Sequence, residues 1–129
     1  MHLSEKAKEE VILFHEQICQ WFKGDGNGTA AAAAELLRHF STRFRMISPN
    51  GIERSYEDTL AWLPTAFGAK PDMQITITGM QAHESDKHVL VIYQETQVFN
   101  GEQQTRNSSA VFIREDVHAY WLHLWETWA

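Results

Sequence analysis

The chain has 129 residues, 43% of them hydrophobic, with 17 acidic against 11 basic side chains and a net charge of −6. That length fits one ordinary domain, residues 1–129, able to bury roughly two thirds of its extended surface. The acidic balance disfavours nucleic acid and anionic membrane surfaces, no apolar run nears the ~20 residues of a membrane helix, and the lone Cys19 cannot close an internal disulfide.

The charged start "MHLSEKAKEE" has no apolar signal core, so a cytoplasmic protein is expected. Leu3, Ala7, Val11, Phe14, Ile18, Trp21 and Phe22 step by three or four, which predicts an amphipathic helix over 4–23 with Ser4 as N-cap. "GDGNG" at 24–28 ends it. Thr29 then caps a second helix through "AAAAAELLRHF", whose alanines allow close packing. "RFRMIS" at 43–48 alternates as a short strand, with Phe44 and Met46 on one face, and "SPNG" turns. Ser55 and Asp58 form a capping-box pattern for a third helix carrying Leu60, Trp62, Leu63 and Phe67. Pro64 should kink or shorten that helix, and Gly68 should end it.

From Pro71 the period changes to two. "DMQITITGMQAH", "HVLVIYQETQVF", "TRNSSAVFIR" and "VHAYWLHLWETW" read as four strands of a meander, with Asn100–Gly101 as a hairpin turn. Helices ahead of an antiparallel sheet predict an α+β fold: three N-terminal helices packed on a strongly curved, mainly antiparallel sheet.

The last strand carries large apolar groups on both faces. Alternation puts Trp121, His123, Trp125 and Thr127 on one side, and Leu122, Leu124, Glu126 and Trp128 on the other. Aromatics with polar tips on the first side have the composition of a pocket for a small apolar ligand. The second side, through Leu122 and Leu124, is expected to meet another copy in an isologous homodimer. On the long preceding strand either Tyr93 and Glu95 or Gln94 and Thr96 face the pocket, because a bulge would exchange them.

"FSTRFRMISPNG" leading into "SYEDTLAWLPTAFG", the strand pair "VIYQETQVFNGEQQTRNSSAVFIR" and the ending "YWLHLWETW" together resemble the nuclear transport factor 2-like superfamily, the cystatin-like α+β cone. The resemblance spans nearly the whole chain and is nearest to small bacterial SnoaL-like and calcium/calmodulin-dependent kinase association-domain-like members. It implies a conical barrel, a pocket between helices and sheet, and commonly a dimer. In the ketosteroid isomerase-like members an Asp before a Pro acts as base and a first-helix Tyr assists. Here Ser48 precedes Pro49 and the first helix has no tyrosine, which argues against that proton transfer.

Two functional classes follow. The favoured one is a small-molecule-binding domain whose pocket is lined by Phe14, Phe44, Met46, Trp62, Trp121, Trp125 and Thr127. The alternative is a cofactor-free isomerase, dehydratase or cyclase that moves a proton on a small carbonyl compound. His123 would be its base, with Glu95 orienting it and Tyr93 donating to a developing oxyanion. His123 also fits a core histidine bonded to a neighbour, and Glu95 a cross-strand pair with Arg106 or Arg114. Arg43 and Arg45 fit either a ligand carboxylate or, more commonly, surface ion pairs; His15 and His39 fit surface positions. No metal site and no cofactor are expected, since the histidines form no ligand cluster and no phosphate-cradling glycine loop follows a strand.

Overall fold

A computed structural model describes residues 2–129. The first helix, α1 (Leu3–Lys23), buries Leu3, Ala7, Val11, His15, Ile18, Trp21 and Phe22, the stripe expected from their spacing with one histidine added. Ser4 is inside the helix rather than its cap. His2 takes the cap position without a side-chain bond, and the Ser4 N–H is satisfied by the Glu84 carboxylate at 2.8 Å. Gly24, at φ 83°, closes the other end in the left-handed conformation that spares glycine a Cβ clash.

The second helix, α2 (Ala30–Leu36), is capped by Thr29, whose hydroxyl accepts from the Ala32 N–H at 3.2 Å. It is shorter than its alanine-rich sequence predicts, because the backbone has already entered strand β1 (Phe40–Ile47) at Phe40. A three-residue strand, β2 (Glu53–Ser55), follows the turn and was not legible from alternation. Helix α3 (Tyr56–Ala66) starts in the capping box of Ser55 and Asp58. Pro64 is accommodated in its last turn, so the helix is shortened and not broken.

Strands β3 (Gln74–Glu84), β4 (His88–Phe99), β5 (Glu102–Glu115) and β6 (His118–Trp128) form the expected meander. The sheet order is β2-β1-β6-β5-β4-β3, antiparallel throughout except where β1 runs parallel to β6. Asn100 and Gly101 both have positive φ, the geometry of the tight hairpin turn that fixes the β4–β5 register. Bulges in β3 beside Gly79 and in β6 interrupt the ladders, and such offsets bend a sheet. The molecule is therefore an α+β cone, with the helices filling the concave side.

The bulge in β6 changes what that strand presents. Phe112 pairs with Trp121 but Val111 pairs with His123, so Leu122 is the extra residue. Ala119 and Trp121 point into the core, and after the bulge Leu124 and Glu126 do so. Strict alternation had put His123, Trp125 and Thr127 on the pocket side; all three are exposed on the convex face instead. Leu124, expected on the outer, dimer-forming face, is buried inside, and only the half-buried Leu122 remains of that pair. The fully buried Trp121 stacks on Phe40 at 5.2 Å and is flanked by Phe14 and Phe112, forming the aromatic base of the core.

Candidate functional site

Between α1, α3 and the concave sheet lies a cavity of about 200 Å³. Its apolar wall comes from Phe14, Ile18 and Phe22 of α1, Phe40, Phe44 and Met46 of β1, and Trp62 and Leu63 of α3. These positions follow from period: each side chain is in phase with the buried stripe of its own element. An aliphatic cavity of roughly 150 Å³ holds a benzene ring, so this space suits a molecule of one ring with a short substituent.

The floor is polar. Cross-strand register puts Tyr93, Ser108 and Glu126 in one row, and Glu95, Arg106 and Trp128 in the next. Tyr93 and Glu95 thus face inward, and Gln94 and Thr96 outward. Glu95 is buried and does not pair with Arg114. Its Oε1 meets His15 Nε2 at 3.0 Å, and its Oε2 accepts from the Gln97 amide at 2.6 Å. His15 Nδ1 lies 2.7 Å from the Val11 carbonyl, an acceptor only, so that nitrogen carries a hydrogen and donates. The other ring nitrogen faces a carboxylate. Burial disfavours the charged ring, but the Glu95 charge and its hydrogen bond outweigh it and raise the His15 pKa. Burial likewise works against the Glu95 charge, and His15, then Gln97, more than offset it and hold that carboxyl below its usual range. The two form an ion pair inside the molecule.

Glu126 behaves differently. It is buried, and its one side-chain partner among the described residues is Arg106 Nη1 at 3.4 Å, a long contact. Burial, with the Glu95 charge nearby, pushes its carboxyl up to about 7, and Arg106 offsets only part of that rise. Arg106 lies 5.2 Å over the Trp128 ring, and its Nε–H has no acceptor among the described residues. Burial, then the two carboxylates, drive the Tyr93 phenol well above its ordinary range, so it stays neutral.

Of the residues expected from sequence, Phe14, Phe44, Met46, Trp62 and Glu95 converge on the cavity. Tyr93 and Trp121 are packed in the core beside it without lining it, and His123, Trp125 and Thr127 are on the opposite face. The sequence reading gave Gln97 and Glu126 no site role, named Arg106 only as a cross-strand partner of Glu95, and placed His15 at the surface, whereas His15 is buried. His15 was visible in the helix period, four residues after Val11 and three before Ile18. Arg106 was visible by counting outward from the Asn100–Gly101 turn, which sets it opposite Glu95. Glu126 required knowledge of the bulge. Among the described residues no group of three or more His, Cys, Asp or Glu is arranged to hold a metal ion, and no helix is long and apolar enough to cross a membrane.

Neither a family model nor a curated protein matches this sequence. Solved structures do. The chain is similar to a nuclear transport factor 2-like protein of unknown function from Pseudomonas aeruginosa, at 26% identity and a TM-score of 0.88, over 96% of this chain and 98% of that one. A candidate calcium/calmodulin-dependent kinase II association domain from Exiguobacterium sibiricum aligns at 15% identity and a TM-score of 0.64, over 100% of this chain and 97% of that one. A candidate ketosteroid isomerase from Parabacteroides distasonis aligns at 9% and 0.68, over 98% and 91%. The chain has the nuclear transport factor 2-like, or cystatin-like, fold that its sequence resembles.

Proposed function

We propose that this chain is a small-molecule-binding domain whose cone receives a compact, largely apolar molecule with its polar end against the sheet. The observation that carries this reading is the division of the cavity, with an aromatic and aliphatic wall over a floor of His15, Glu95, Gln97, Arg106 and Glu126. A core built for packing alone has no use for five such groups, each of which is expensive to desolvate. Toluene tests the reading, since it fits the volume and needs no polar partner. Titrated into the protein with labelled methionine methyls, it should shift Met46, which lines the cavity, and leave Met80, which lies under the outer side of α1. A titration that moves Met80 and not Met46, or neither, removes the proposal.

One observation favours a second reading, the cofactor-free isomerase or dehydratase type. Glu126 is a cavity-lining carboxyl held at about 7, the value that best serves proton transfer at neutral pH. In that reading Glu126 replaces His123 as the base.

We further propose a homodimer through the convex sheet face, re-centred by the bulge. Trp125, 60% exposed, aligns through Ser109 with the exposed Ile92, and Leu90, Val111 and Leu122 are half-buried around them. An aromatic anchor within an apolar patch is the usual centre of an interface. Trp125→Arg should convert a dimer to monomer in sedimentation velocity, weakening association at least tenfold. A wild-type protein that sediments as a monomer at 100 µM or so, far above the Kd of a stable dimer, would end this part of the proposal.

A further inference from the structure

We infer that the polar end of the ligand is a carboxylate, received by Arg106 with uptake of a proton at Glu126. The inference rests on the pocket reading above and gives it a substrate class: a small aromatic or branched monocarboxylic acid.

The charges around the cavity run against those of the whole molecule. The chain carries a net −6, yet the cavity is lined by Arg54, Lys70, Arg106 and His15 against only Glu95 and Glu126. Arg54 and Lys70 are each held over an aromatic ring, Trp62 and Phe22, at 5.1 Å, with no carboxylate partner among the described residues. The Glu95 charge is already matched by His15 at 3.0 Å and by Gln97. That leaves Arg106, and its guanidinium is poorly satisfied. Among the described residues only Nη1 reaches an acceptor, at 3.4 Å, and Nε reaches none. A guanidinium on a side chain only 14% exposed, its planar fork almost empty, is matched in shape and charge by a carboxylate.

Glu126 supplies the condition. Ionised, it competes for Arg106 and repels an anion. Protonated, it frees the guanidinium and offers an O–H to the incoming oxygen. Every charged group packed around it bears on that choice. Glu95 from β4 favours its proton; Arg106 from β5 and His15 from α1 oppose it. With its carboxyl at about 7, the switch falls near neutrality, and binding of an anion should draw in about half a proton at pH 7. The proton comes from solvent and no covalent bond changes.

Benzoate and benzamide, equal in shape and different in charge, test this by calorimetry in two buffers of unlike ionisation enthalpy. Benzoate should bind more tightly than benzamide at pH 6, take up protons, and lose about tenfold in affinity between pH 6 and pH 8. Benzamide should show no such slope. Glu126→Gln should hold benzoate affinity flat across the same range, and Arg106→Gln should lower it at least tenfold while sparing benzamide. If both probes bind alike with no proton uptake, the carboxylate inference is wrong and the pocket stands. If neither benzoate, benzamide nor toluene binds, the pocket reading has failed and this inference with it.

Discussion

His15→Leu is expected to lower the unfolding free energy by about 3–5 kcal/mol near pH 5.5, the cost of stranding one charge of a buried pair. Both ring nitrogens are engaged, one by the Val11 carbonyl and one by Glu95, and leucine replaces neither contact. The loss should depend on pH in a defined way. The Glu95 carboxyl is lowered from its ordinary 4.5 by folding, so its contribution exists above that value and disappears as pH falls through the lower folded one. The His15 pKa is raised above 6.5, so its contribution is complete below that value and disappears as pH rises through the higher folded one. The penalty of the substitution is therefore greatest between 4.5 and 6.5 and shrinks on both sides. Urea unfolding over a pH series measures it. Adding Glu95→Leu should restore most of the stability, because the stranded carboxylate goes with it. A loss below about 1 kcal/mol, in the range of exposed pairs, or a double variant no better than the single, would mean that no ion pair exists.

Glu126→Gln should act in the other direction and stabilise the protein by roughly 3 kcal/mol at pH 8. Folding raises this carboxyl from 4.5 to about 7, so the folded state binds its proton more tightly than the unfolded chain. Stability linked to that proton is complete below pH 4.5, falls as pH rises towards 7, and is gone above it, at about 1.4 kcal/mol for each pH unit. Glutamine keeps the shape and has no proton to lose. The two proteins should be nearly equal at pH 4.5, diverge steadily to about pH 7, and keep that gap to pH 8. Unfolding curves that stay parallel across the series would show that Glu126 titrates as an ordinary carboxyl. A site residue that lowers stability at working pH is a usual sign that the position serves something other than folding.

Much of the architecture was legible in the sequence because single periods dominate its elements. The α1 stripe, the Ser55–Asp58 cap and the Asn100–Gly101 turn each rest on a local rule, and each lies where that rule puts it. The family resemblance made the cone and its concave cavity legible too. What was lost is traceable to a few residues. A three-residue strand such as β2 is too short to have a period. The Leu122 bulge leaves no mark in composition, yet it reverses every later side chain of β6. The polar floor was half visible: Glu95 was singled out, but its partner comes from a helix eighty positions earlier. Only tertiary packing brings His15 and Glu95 together, and no spacing rule reaches that far.

Strand β6 also shows how small a slip in pairing separates two different interiors. Were Leu122 paired with Val111 instead of bulged out, the ladder would run unbroken and its frame would turn over. His123, Trp125 and Thr127 would then meet the ligand, while Leu124 and Glu126 met water. Two such ladders could carry the same residues and still offer unrelated chemistry to whatever entered them. Column-by-column alignment of their last strands would record a run of conserved positions where every side chain had exchanged inside for outside.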